Sequence, residues 1–550
     1  MKSKLFFSII CFLFFENVVA QSTANIGEIH GNFQTDVQYY NPDSAIGAPA
    51  VPEKALMNGF ANIRYTRDNF SCGVRYESYL NALQGFDTRY KGNGFGFRYA
   101  EYNKDGLDIT VGNFYDQFGS GLIFRSYEER SLGVDNAMDG LRLKYSPAKG
   151  IYLKGFIAKQ RFFFGEGAGI VRGADGEVNI NELVTKGNDA KLKVIVGGSF
   201  VSKFQQDQDP IYKLPENVGA GGGRITIGYG KVSLNAEYVH KINDPSILNN
   251  NIYKDGSALL IGASYSQKGL GINIAAKRTD NMNFRSDRTA IGNNLNINYL
   301  PALTKQYSYN LASSIYPYAT QPNGEAALQA DVIYTLKKET WLGGKYGTTI
   351  NANFSAVNAI DKQRVNDTTL VNEPYTLGYK SNFFKIGKEV YFRDLNVEIT
   401  RKVSKKVKVI LFYANQVYNI QVIQGHPGAL IVYSNIAALD VTYKINSTNA
   451  IRIELESLTT KQDSRSWASV LLEYTVAPHW SLSVLDQYNY DNPNTRKRFQ
   501  YYTGTIVYTK NANRFSLGYG RQRAGLLCVG GVCRYVPASN GVTLSVSSSF

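Results

Sequence analysis

Two groups of residues in this chain have the types and spacing for chemistry. The first is Cys528-Val-Gly-Gly-Val-Cys533. Gly530-Gly531 suits a two-residue hairpin turn, because glycine accepts the positive φ angles such a turn requires. Val529 then faces Val532, and Cys528 faces Cys533 as a non-hydrogen-bonded pair, in which Cα atoms approach to about 4.5 Å. That separation suits a disulfide, so the spacing predicts a Cys528–Cys533 bond at the tip of the last loop. A two-cysteine metal site is the rival, although no histidine or third cysteine stands nearby to complete it. The second group lies in 113–142, where Asp116, Arg125, Glu128, Glu129, Arg130, Asp135, Asp139 and Arg142 crowd one strand–loop–strand unit. Gly119 and Gly121 permit a bend or a close backbone approach there. The unit reads as an inward-folded loop tied to a wall by ion pairs, since enclosed polar groups usually pair. Its functional reading is a constriction in which opposed Arg and Glu rows select solutes. Arg172, Asp175 and Glu177, flanked by glycines, form a smaller group of the same kind, or an ordinary polar turn.

Enzyme chemistry finds little support. His30, His240, His426 and His479 are scattered, with no HExxH spacing, and no Gly-x-Ser-x-Gly elbow is present. The glycine-rich stretch 219–223 lacks the Lys-Ser/Thr that follows in a phosphate loop, so it reads as strand edge or turn. No catalytic residue, metal or cofactor is expected. Cys72, left over, reads as a buried or outward-facing thiol.

The elements that must position these groups are strands. Period-two alternation recurs: Leu107, Ile109 and Val111 against Asp108, Thr110 and Gly112; Leu395, Val397 and Ile399 against Asn396, Glu398 and Thr400; Ile451, Ile453 and Leu455 against Arg452, Glu454 and Glu456. Short turns such as Asn103–Gly106, Ser146–Gly150 and Lys510–Asn513 alternate with long polar connections, Asn41–Ala55, Asn281–Glu325, Asp361–Lys385 and Gln421–Ser434. Turns alternating with loops match the two ends of an outer-membrane β-barrel. The final strand places Val542, Leu544, Val546 and Phe550 on one face and small polar residues on the other, resembling the assembly signal of such barrels. The expected fold is all-β: a single transmembrane antiparallel barrel of about 22–24 strands. The first strand, Ile26–Tyr40, leaves no room for an N-terminal plug domain, and the last strand pairs with it.

Compartment and charge agree. Lys2 and Lys4, an apolar core to Phe15, and Val18 and Ala20 before Gln21 form a cleavable signal peptide, 1–20, leaving a barrel over 21–550. No later apolar run approaches the roughly 18 residues of a transmembrane helix. The formal charge of +15 suits anionic lipid, polysaccharide or an anionic solute. Nucleic acid is not the expected partner, given export and the lack of a compact basic cluster with interleaved aromatics.

The segments Tyr115-Asp-Gln-Phe-Gly-Ser-Gly-Leu122, Tyr127-Glu-Glu-Arg-Ser-Leu-Gly133 and Cys528-Val-Gly-Gly-Val-Cys533-Arg-Tyr-Val-Pro537 resemble a family of Bacteroidetes outer-membrane proteins of about this length, across the full mature chain. The resemblance implies an outer-membrane location and a single barrel, and brings no substrate or catalytic residue. The expected partners are outer-membrane lipid and lipopolysaccharide, the barrel assembly machinery during biogenesis, and proteins at the extracellular loops. Two functions follow. One is a passive channel or transporter for small solutes, gated by the 113–142 unit. The other is a structural or accessory subunit of an envelope assembly or secretion complex. Its lumen is filled by its own loops, and loop 299–324 and the cysteine hairpin are its docking surfaces.

Overall fold

Along residues 411–414, Leu411 and Tyr413 are exposed while Phe412 and Ala414 are buried. The same division holds for Ile453 and Leu455 against Glu454 and Glu456. Strands with one apolar outer face and one mixed inner face close on themselves when the outer face meets lipid, because an open edge there leaves backbone groups unpaired. The computed structural model describes residues 27–184 and 191–550, so the expected signal peptide lies outside the described residues. Its main sheet has 24 antiparallel strands, running from Glu28–Tyr40 to Ser539–Ser549, each paired with the next barrel strand in the chain. The last strand pairs with the first, from Asn32 opposite Ser549 to Tyr40 opposite Gly541. Gly31 and Phe550 exchange backbone hydrogen bonds of 2.9 and 3.0 Å beyond that register.

Gly541 is tightly fitted at the seam. Gly541 has φ +153°, and a Cβ there would lie 1.8 Å from the Tyr39 carbonyl oxygen. Gly541→Ala is therefore expected to lower the folded fraction on refolding, through a clash added to about 1–3 kcal/mol of backbone strain. Heat-modifiable gel mobility reads the folded fraction. Gly271→Ala, at a strand position with nothing within 4 Å of the added atom, is the matched control and should fold normally.

Tight turns mark one end. Asp105 and Gly106 both have positive φ, 51° and 80°, which fits the hairpin turn that matches strand twist. Long connections mark the other end: 41–54, 281–324 and 364–379. Some boundaries differ from the expected ones. The first strand starts at Glu28. The group Arg172, Asp175 and Glu177 lies on a strand, Gly165–Asn179. The loop expected over Asp361–Lys385 is shortened by strands that reach Gln363 and resume at Lys380. The backbone pairing continues there, with Lys362 opposite Ser381 and Gln363 opposite Lys380, although the residues are polar. One loop-side connection is only Phe163-Phe164.

The outer face has a banded composition. Tyr102, Tyr145, Tyr229, Tyr334, Tyr474 and Trp480 are exposed near the turn end, and Phe95, Phe200, Tyr238, Tyr433 and Tyr519 near the loop end. Between them Val111, Leu141, Ile157, Leu234, Ile453 and Leu517 are exposed. No helix among the described residues is long and apolar enough to cross a membrane.

Candidate functional site

The barrel's core is not its wall but what fills it. The connection 281–324 folds into the lumen and contacts both halves of the wall. At one side Met282, Phe284, Ile297 and Leu300 pack with Phe118, Leu122 and Phe124 of the 115–137 connection. This group packs against the inward-facing Phe156, Val171, Val201, Val218 and Val239. At the other side Leu311, Ile315, Tyr316 and Tyr318 join the inward-facing Phe392, Phe412, Tyr418 and Ile436. Tyr309 stacks on Phe412 with ring centroids 4.6 Å apart. Each apolar side chain fully buried this way contributes about 1.5–3 kcal/mol.

Carboxylates of the wall strands, and Asp463 of the connection 461–466, pin the same segment by hydrogen bonds. The hydroxyls of Tyr307, Tyr309, Tyr316 and Tyr318 donate to Asp394, Glu398, Asp463 and Glu325 at 2.6, 2.8, 3.0 and 2.5 Å. Burial, reinforced by these carboxylates, pushes all four hydroxyls up, so they remain protonated donors. A single helical turn, Asn310–Ser314, begins on Glu456, which accepts from the Asn310 and Leu311 N–H groups at 2.7 and 2.9 Å. The Asn310 side chain donates to Glu454 at 2.9 Å. Lys277 and Glu325, both fully buried, form a 2.7 Å ion pair at the segment's exit.

The connection 115–137 of the 113–142 unit lies inside the barrel, and the unit's charges are mostly paired. Asp135 accepts from Arg161 at 2.5 Å and from Tyr115 at 2.9 Å, and is paired with Arg75. Arg75 also binds Glu77 and Glu128 at 2.7 and 3.0 Å, and Arg161 binds Glu77 at 2.6 Å. Arg130 bonds Glu128 and Gln34 and lies over the Phe60 ring. Asp116 meets Lys154 at 2.9 Å and Lys144 at 3.5 Å, with Arg142 at 3.8 Å. Arg142 also reaches Glu101 and Asp108.

Three expected members play other parts. Arg125 joins no ion pair among the described residues and stacks between the Tyr127 and Tyr299 rings, at 4.7 and 4.2 Å. Glu129 caps a short turn through Ser131. Asp139 is corrected most: it shares the outer face with the exposed Leu141 and pairs there with Arg98 at 3.1 Å, because it is two residues from Leu141 on one strand. In the smaller group, Arg224 holds Asp175 and Glu177 at 2.7 and 3.0 Å, while Arg172, one residue out of phase, is exposed on the other face. These residues belong to a strand, not to a polar turn. Arg75, Glu77 and Arg161 were not singled out in sequence, because Arg75 and Glu77 lie on one strand, Phe70–Tyr79, and Arg161 on another, 84 residues beyond Glu77, and neither strand belongs to the 113–142 unit.

Cys528 and Cys533 are disulfide-bonded at a Cα separation of 4.1 Å, in the expected register. Their position corrects the expectation of a projecting tip: the hairpin folds inward onto the lumen segment. The Gly530 carbonyl accepts from the Tyr299 hydroxyl at 2.7 Å, and that of Gly531 accepts from Thr320 N–H at 3.0 Å. Arg534 donates to the Ser131 carbonyl at 2.9 Å, and Arg523 to that of Ser314. Loop 299–324 likewise faces inward and is not an outward docking surface.

Below this layer, on the turn side, lies a polar cavity of about 630 Å³, lined among others by Asn32, Asn62, Arg64, Glu101, Arg130 and Arg142. Arg64 is exposed and joins no ion pair among the described residues, so the cavity suits polar or anionic solutes. No group of three or more metal-ligating side chains stands together among the described residues.

Residues 1–550 match a family model whose description is a family of unknown function, DUF6029. No curated protein matches the chain. Among solved structures, the siderophore receptor PirA from Pseudomonas aeruginosa is 9% identical, with a TM-score of 0.39 over 96% of this chain and 82% of that one. A mutant of the ferric enterobactin receptor PfeA from the same organism is 10% identical, with a TM-score of 0.41 over 95% and 80%. Pseudomonas aeruginosa OpdQ is 10% identical, with a TM-score of 0.33 over 95% and 97%.

Proposed function

We propose that this chain, which belongs to the family of unknown function DUF6029, is an outer-membrane barrel held shut by its own loops, acting as a structural or accessory subunit of an envelope complex. The observation that carries this reading is the fixing of Tyr307–Tyr318 across the lumen by wall carboxylates and aromatic packing. Apolar packing and buried hydrogen bonds across the lumen displace the water that a conducting lumen needs. The exposed apolar band between two aromatic belts supports the membrane setting. The charge pairing of the 113–142 unit supports a structural role for it rather than a filter, because a filter needs charges free to meet solutes. The reading includes no catalytic step.

The passive channel is the second reading, favoured by the polar cavity beside Arg64. Liposome swelling separates the two. Vesicles carrying the intact chain are expected to exclude small sugars and amino acids, and mild-detergent purification is expected to bring down a stoichiometric partner. Rapid swelling, together with repeated recovery of the chain alone, would favour the channel.

A further inference from the structure

The turn end of the barrel is uneven. Most of its connections are tight, but 337–347, between strands Glu325–Leu336 and Thr348–Gln363, is long and shaped by its own hydrogen bonds. Gly344 N–H donates to the Thr340 carbonyl at 2.7 Å, and Glu339 N–H donates to that of Gly344 at 2.8 Å. The Thr348 hydroxyl donates to the Leu342 carbonyl at 2.9 Å. This fixed shape presents Trp341, 89% exposed, and Leu342, 55% exposed.

Around these two apolar side chains stand cations. Lys337, Lys338 and Lys345 share the connection. The turn between the next two strands, 403–406, adds Lys405 and Lys406. Arg401 lies beside Gly344, where an added Cβ would be 2.8 Å from its guanidinium. None of the six joins an ion pair among the described residues, and Glu339 is the one acid in either turn. Lys406 reaches only the Ile445 carbonyl, at 3.2 Å. Inside the barrel most cations are paired, so unpaired charge is not the general habit of this chain. A merely solvated turn accounts for the lysines but not for an ordered, nearly fully exposed tryptophan among them. That combination fits a surface that is apolar below and anionic above.

We propose that this patch is a seat for anionic phospholipid headgroups at the turn-side membrane surface. The ammonium groups meet the phosphates, while Trp341 and Leu342 enter the headgroup–acyl boundary. The proposal rests on the membrane reading above and adds a lipid preference to it. A cation at an anionic surface enriches the lipid about fivefold, an effect screened by salt.

The test uses the full chain in nanodiscs of phosphatidylcholine with a minority of phosphatidylglycerol, with brominated acyl chains on one lipid or the other. Trp341 emission is isolated by difference with Trp341→Phe. Quenching per brominated phosphatidylglycerol should exceed that per brominated phosphatidylcholine by about fivefold or more. The preference should fall in roughly 1 M salt and in a variant with Lys337, Lys338, Lys345, Lys405 and Lys406 changed to Gln. Equal quenching by both lipids, meaning apolar entry alone, overturns the proposal. So does absence of quenching, meaning that the turn stands in water. Trp480, exposed on the outer belt, is the internal control. If it too escapes quenching, the membrane reading fails; if it alone is quenched, only the lipid seat does.

Discussion

Replacing residues 303–319 with two glycines is expected to turn a silent barrel into a conducting one. The ends of the excised segment already lie together. Ala302 N–H donates to the Gly530 carbonyl at 3.4 Å and Thr320 N–H to that of Gly531 at 3.0 Å, so both flank the same hairpin tip. The segment is thus a lumen-facing loop whose closure the deletion preserves. Its removal uncovers Phe392, Phe412 and Tyr418 and frees Asp394, Glu398, Glu454 and Glu456 to hydrate. Planar bilayer recordings should then show discrete, cation-favouring steps. A milder variant, Glu454→Gln with Glu456→Gln, weakens the anchor of the Asn310–Ser314 turn by about 1–3 kcal/mol. It should give brief, flickering openings. Deletion without any gain in conductance would mean that other loops seal the lumen unaided.

The second large effect is on stability. Arg161→Met leaves Glu77 and Asp135 buried against a missing cation, with Arg75 as their remaining partner. Glu77 is 1% exposed, so water cannot readily replace the guanidinium. Removing one partner of such a group costs about 3–5 kcal/mol. The urea midpoint of the barrel in micelles should fall accordingly. Arg161→Met with Glu77→Leu should recover part of the loss, since neither then leaves an uncompensated charge. The packing is equally specific: a Cβ at Gly96 would lie 2.2 Å from Glu77 Oε1 and 2.7 Å from Arg161 Nη2. A change below about 1 kcal/mol for Arg161→Met would reduce the cluster to surface-like pairs.

The wall was legible in sequence because its signal is local. Alternation such as Ile451–Glu456 fixes which residues face in and out, and Asp105-Gly106 fixes a turn. The same local logic placed Cys528 opposite Cys533. The filling was not legible, because its determinants are separated along the chain. Tyr307 and Asp394 are 87 residues apart, and Asn310 and Glu456 are 146 apart. A polar, tyrosine-rich connection reads as solvent-exposed unless its partners are known. The charged unit at 113–142 was visible as a cluster, but its cationic anchors Arg75 and Arg161 were not. The misplacement of Asp139 followed from grouping charges by proximity in sequence and setting aside the period of two that puts it beside Leu141.

Single-channel recording of the intact chain in planar bilayers tests the central claim most directly, with the 303–319 deletion as the proof of insertion. The account predicts a quiet baseline for the intact protein under conditions where the deletion conducts. Steady ohmic steps from the intact protein, comparable in size to those of the deletion, would contradict it and establish an open channel.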